Sequence, residues 1–210
     1  MNSTEQVIAT ALHELSEKSA PLAALIEQHG PYLPRPHERP DVFASLARSI
    51  IYQQLAGKAA ASIHRRFTAL FPGKVCAEAL LALEFDTIRS AGLSMAKATA
   101  ICDLAKHVQQ GVLNLEELRA LDDDELTQSL VRVRGIGPWT AQMFMMFQLG
   151  RLNVWPTGDL GVRRGYGITF CDGETPAARE LASLGDPFEP YRSIVAWYCW
   201  RATDSAGPKA

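Results

Sequence analysis

Apolar residues recur at helical spacing along nearly the whole chain and strand-type alternation is scarce, so the pattern predicts an all-α protein. From Asp41 to Leu55, "DVFASLARSIIYQQL" sets Val42, Leu46, Ile50 and Gln54 on one stripe, with Phe43 and Ile51 beside it. A second helix starts at Gly57 and stops at Pro72-Gly73. Leu93 to Gln110 predicts a third, with Ser94 as N-cap and Gly111 as the stop. Asp122 is the expected N-cap of the next, its buried stripe being Leu126, Leu130 and Val133. After a Gly-Ile-Gly turn, "PWTAQMFMMFQLG" has Pro138 at a first helical position and few polar residues, which predicts a helix surrounded by protein. A weaker helix follows Asp159, and "PYRSIVAWYCWRA" is the last strong one.

Composition places the chain among ordinary folded proteins: 210 residues, 47% hydrophobic and 21% charged. The formal net charge of -2 provides no broad basic field, so any nucleic-acid surface must rest on local patches. No apolar run is long enough to span a bilayer. Acids interrupt the N-terminal twenty-residue stretch "MNSTEQVIATALHELSEKSA", which argues against a signal peptide. An intracellular, cytoplasmic protein is expected. The four cysteines are far apart with no C-x-x-C pair, so reduced thiols are expected rather than a metal site. Residues 1–40 read as an N-terminal helical segment with a Pro-rich connection, 41–203 as the core, and 204–210 as a flexible tail.

The turn in "RVRGIGPWTA" joins two helices in a tight hairpin. Gly135 and Gly137 tolerate positive φ and admit a second backbone, and the N–H groups opening the next helix form an anion site without any lysine. Taken alone, the turn reads better as a helix C-cap followed by proline, a common arrangement.

The turn is not alone. "VRGIGPWTAQMF", then "VWPTGDLGVRRG", resembles the helix–hairpin–helix glycosylases with a Gly/Pro-rich loop and an aspartate (HhH-GPD), in particular the 3-methyladenine DNA glycosylase II branch. "SIIYQQLAGKAAASI", "AGLSMAKATAI" and "YRSIVAWYCWR" occur in that family's order, so the resemblance runs from about Asp41 to Arg201. It implies a two-lobed helical core without the N-terminal β-domain of larger members, with the hairpin over 122–149 and the catalytic loop over 151–165. It also implies a monofunctional base excision repair enzyme that removes 3-methyladenine and 7-methylguanine flipped from damaged double-stranded DNA, leaving an abasic site. A monomer is expected.

By the same resemblance Asp159 matches the catalytic aspartate, although after Gly158 it also reads as a plain N-cap. Trp139 stands where lyase members keep a Schiff-base lysine; an indole can stack on a cationic base instead. Trp200 matches a second pocket aromatic, Trp197 joins it or fills the core, and Met143 replaces a pocket tyrosine. Gly135, Ile136 and Gly137 are expected to face DNA. Gln54 is the better match for the side chain that fills the hole in the duplex, with Gln53 and Leu55 adjacent, and a polar helix end is an equal reading. Lys58 and Lys97 are candidate phosphate contacts. Arg192 matches a basic residue near the pocket, or pairs with Asp or Glu.

No cofactor is expected, and the cysteine pattern does not suit an iron–sulfur cluster. The family implies a structural Na+ or K+ on backbone carbonyls near Val131 and Val133. Two rivals remain open: the same fold acting on uracil, deaminated or mismatched bases, and a non-catalytic helix–hairpin–helix DNA-binding module. The second leaves Asp159 and the aromatic helix unexplained as a set.

Overall fold

A computed structural model of the chain describes residues 3–33 and 41–207. Among the described residues there are twelve α-helices and two short 3-10 turns, with no strand. Two compact units divide the chain. One is continuous, residues 36–149; the other joins residues 1–35 to 150–210.

The continuous unit holds α3 (Val42–Tyr52), α4 (Gly57–Thr68), α5 (Ala77–Leu81), α6 (Phe85–Ser90), α7 (Met95–Gln109), α8 (Asp123–Val131) and α9 (Pro138–Phe147). Helix α3 lies against α4, α7 and α9, while α5 and α6 cover α7. Its buried face is Phe43, Leu46, Ala47, Ile50 and Ile51; of the expected stripe, Val42 is half-buried and Gln54, beyond the helix end, is exposed. The helix ends at Tyr52, three residues before the expected Leu55: its C-cap Gln53 turns to ψ 131°, and Gln54 follows with a left-handed φ of 53°. Helix α8 begins on a full capping box between Asp122 and Glu125, and Leu126, Leu130 and Val133 are buried as expected.

The discontinuous unit holds α1 (Ser3–Lys18), α2 (Ala20–His29), α10 (Leu160–Phe170), α11 (Ala178–Leu184) and α12 (Arg192–Ala206). Ile8, Ala11 and Leu15 form the buried stripe of α1. Helix α2 packs on α12 and α10, so the N-terminal segment shares a core with the C-terminal helices instead of standing apart. The Tyr198 hydroxyl donates to the Gly30 carbonyl at 2.9 Å, and Tyr32 meets the Trp197 ring edge-on. The expected Pro-rich connection falls on 34–40, outside the described residues.

The flexible tail expected from residue 204 is helical through Ala206, and 208–210 lie outside the described residues. Thr203 fastens that last turn by donating to the Gly161 carbonyl at 2.9 Å, and Asp204 pairs with Arg201. The most extensive helix packing is between α10 and α12. Gly165 makes it possible, since a Cβ there would overlap the Cys199 carbonyl. No helix among the described residues is long and apolar enough to cross a membrane.

Candidate active site

In the discontinuous unit, Asp159 is the N-cap of α10. Its Oδ1 accepts the Val162 N–H at 2.9 Å and the Trp200 indole N–H, also at 2.9 Å. One bond comes from the helix's own first turn and the other from α12, so the carboxylate is fixed from two elements. The indole reaches it because Gly161 has no side chain: a Cβ there would stand 2.8 Å from Trp200 Cδ1. Asp159 stays half-buried, and Leu160 beside it is exposed.

The loop before Asp159 is held by the start of α12. The Ser193 hydroxyl, fully buried, donates to the Arg151 carbonyl at 2.7 Å and accepts the Val154 N–H at 2.9 Å. Arg192 reaches the side-chain oxygen of Asn153 at 3.0 Å and pairs with Glu189 at 3.0 Å. The ion-pair alternative for Arg192 is therefore what the structure contains. Trp155, buried in the same loop, donates to the Leu181 carbonyl at 2.7 Å. Sequence reading assigned nothing to Ser193 or to Gly161; its available signals were the serine inside "YRS" and the G-x-x-x-G spacing of Gly161 and Gly165.

Trp197 is partly buried among Tyr32 and Tyr198, with the Arg201 guanidinium 5.2 Å from its ring centre. That is the environment of a packing residue, one reading left open above. Cys199 is buried, and burial pushes its thiol up. Among the described residues, no group of three or more His, Cys, Asp or Glu is placed to hold a metal ion.

In the continuous unit the hairpin joins α8 to α9. Gly135 has φ 79°, and a Cβ there would meet the Ala100 side chain at 2.9 Å, so glycine is required. Gly137 is different. It is the N-cap of α9 in extended backbone, with nothing within 4 Å of a Cβ position and no side chain to accept from the helix's first amides. Ile136 between them is buried, and its N–H donates to the Val133 carbonyl at 3.1 Å, so its side chain anchors the turn in the core. The Arg134 N–H donates to Asp103 at 2.8 Å and fixes the turn from α7.

Helix α9 is not enclosed all round, contrary to the sequence expectation. Thr140, Ala141, Phe144, Met145 and Met146 are buried, whereas Trp139 is 45% and Phe147 43% exposed. Met143, half-buried, lies between them at i+4 spacing, so an apolar stripe faces outward.

Gln53, Gln54 and Leu55 separate by role. Gln54 and Leu55 are exposed at the tip of the turn after α3, while the Gln53 amide turns inward and donates to the Gly135 carbonyl at 2.9 Å. Lys97 also turns inward, donating to the carbonyls of Ile51 and Gln53 at 2.7 and 2.8 Å. Burial lowers its pKa. Lys58 is exposed in the first turn of α4.

A helical hairpin of this form, followed by an aspartate N-cap tied to an aromatic helix, defines a class. Residues 47–190 match the HhH-GPD superfamily of base excision DNA repair proteins, and the chain belongs to it. It is 30% identical to DNA-3-methyladenine glycosylase 1 of Schizosaccharomyces pombe, over 87% of this chain and 82% of that one. It is 32% identical to the protein YfjP of Bacillus subtilis over 78% of this chain, spanning only 59% of that protein's length. Among solved structures, a 3-methyladenine DNA glycosylase of S. pombe in complex with abasic DNA superposes with a TM-score of 0.85 at 27% identity, covering 96% of this chain and 100% of that one.

Proposed function

We propose that the chain is a DNA glycosylase that hydrolyses the N-glycosidic bond of alkylated purines, 3-methyladenine and 7-methylguanine, in duplex DNA and leaves the strand uncut. The observation that carries this reading is the Asp159 carboxylate, fixed by a helix N-terminus and an indole N–H, in a chain of this repair family. Relatives named for 3-methyladenine support the substrate class.

As the bond between C1′ and the purine nitrogen lengthens, its electron pair leaves with the base and positive charge develops on the sugar. A fixed carboxylate stabilises that charge without reorganising during the reaction. Water then adds its oxygen to C1′ and gives up a proton, to Asp159 or to solvent. A purine alkylated at N3 or N7 already carries positive charge and departs neutral, so no general acid is needed.

Trp139 supplies the exposed ring for a flipped base, with Met143 on the same stripe. It also bears on the fate of the strand: an indole has no primary amine to form a Schiff base with the sugar. Trp200 acts on the carboxylate through its N–H. Gly137 and the opening amides of α9 take a phosphate, and Lys58, exposed in the first turn of α4, is a further phosphate contact. For a monovalent cation, the fitting donors are the carbonyls of Val131 and Val133 where α8 ends, because terminal helix carbonyls lack intrahelical partners. The Val133 carbonyl already accepts Ile136 N–H and would offer its second lone pair.

The test is incubation of methylated duplex DNA with the protein, with free bases separated by chromatography and strands run on a denaturing gel. Free 3-methyladenine and 7-methylguanine are expected, with strand breaks only after alkali. Breaks without alkali would sink the claim that the strand is left uncut. Release of uracil or hypoxanthine alone would transfer the site to deaminated bases. Trp139→Ala is expected to lower excision of the cationic bases by about tenfold more than excision of neutral hypoxanthine. Equal losses on both would remove the cation–π argument.

A further inference from the structure

Helix α3 ends in a turn that is tied down on two sides. The Lys97 ammonium, reaching across from α7, donates to the carbonyls of Ile51 and Gln53 at 2.7 and 2.8 Å. A cation at this place satisfies carbonyls that a helix C-terminus leaves without partners and suits the negative end of its dipole. The Gln53 carboxamide then donates from one NH2 group to the Gly135 carbonyl at 2.9 Å and to the Thr140 hydroxyl at 3.0 Å. Both acceptors belong to the hairpin, and Thr140 is only 4% exposed. Just beyond these anchors Gln54 sits at φ 53°, a left-handed conformation uncommon outside glycine, and presents itself and Leu55 to solvent.

We propose that Gln53 and Lys97 are positioning residues that lock the Gln54–Leu55 tip in register with the hairpin, so that phosphate capture and filling of the duplex void occur as one event. The proposal rests on the glycosylase reading above. Neither residue touches DNA in this scheme. Lys97 holds the backbone on which the tip is built, and Gln53 sets its distance from the turn that grips the strand. A hairpin seated on a phosphate therefore brings the tip to one fixed height on the duplex. A left-handed residue built directly on an anchored segment is the kind of conformation that persists where the surrounding structure over-determines it.

Such a device matters only when flipping is difficult. Base removal from a fully paired duplex requires the stack to open and be held open. A lesion opposite an abasic site has already lost most of that resistance. Gln53→Met and Lys97→Met, each removing the donors while keeping an unbranched side chain, should be compared with wild type on 7-methylguanine in both contexts under single-turnover conditions. Both variants are expected to lose about tenfold or more on the paired duplex and less than about threefold opposite an abasic site. Lys97→Arg, which restores a cation with several donors, should recover most of the duplex rate.

Equal losses in the two contexts would overturn the proposal, because they would mark a merely structural role. Unchanged duplex rates would overturn it as well. Should Lys97→Met fail to fold, the Gln53→Met comparison decides by itself, since Gln53 is partly exposed. No base release by wild type in either context would be a failure of the glycosylase reading, and is distinct from both.

Discussion

Asp159→Asn is expected to lower the release of alkylated purines by about 10² to 10⁴-fold while leaving the fold intact. Asparagine is as good an N-cap as aspartate, and its carbonyl can still accept from Val162 N–H and the Trp200 indole. What it cannot do is carry negative charge opposite a developing cation, or take a proton from water. The variant should therefore melt within a few degrees of wild type and bind methylated duplex normally. Trp200→Phe separates the two contributions further, since it keeps a smaller aromatic ring and deletes the N–H. A loss of roughly tenfold is expected there, the effect of one hydrogen bond to a charged group. Measured base release that is unchanged in Asp159→Asn would remove the carboxylate from the chemistry. A large fall in its melting temperature would make the activity loss uninterpretable, and Trp200→Phe would then have to decide.

The largest expected effect on stability lies at Gly165. An added Cβ overlaps the Cys199 carbonyl, which is backbone within α12 and has no rotamer to escape into. Gly165→Ala must push apart the most extensively packed helix pair in the molecule. It is expected to cost about 3 kcal/mol or more, lowering Tm by roughly 10 °C. Gly73→Ala is the matched control, because nothing lies within 4 Å of the position its Cβ would take. Thermal melts of the two variants showing similar small shifts would contradict the close α10–α12 packing. Base release should fall with Gly165→Ala even in protein that folds, since separating α12 from α10 withdraws Trp200 from Asp159.

The elements that carry periodic patterns or caps were legible in the sequence. Asp122 and Ser94 are N-caps as expected, and the stripe of Leu126, Leu130 and Val133 is buried. Helix ends fixed by distant partners were not. The carbonyls where α3 stops are held by a lysine from another helix, and no local pattern encodes that. The continuation of α12 to Ala206 depends on Thr203 meeting the Gly161 carbonyl. The same distinction runs through the candidate site. Asp159 was legible as an N-cap from the glycine and helix start around it, and as a candidate for the chemistry only through the family resemblance. The inward aim of Gln53, Lys97 and Arg192 was not, since a polar side chain near a helix end reads identically whether it points to solvent or to a carbonyl. Trp197 and Trp200 show how little residue type decides: one turn apart, the first packs under Arg201 and the second grips a carboxylate.

The division of the chain has a consequence for its synthesis. The unit over residues 36–149 is continuous and can complete its core as soon as it has emerged from the ribosome. The other unit is split, and α1 and α2 must wait with an uncovered apolar face for α10 and α12 to arrive. A nascent chain that has just cleared Asp159 thus owns a finished hairpin and an unfinished carboxylate site, whose indole partner appears only when residue 200 is made. Hairpin and carboxylate site mature at different times. The period between them is when the exposed faces of α1 and α2 are open to chaperones or to misassembly.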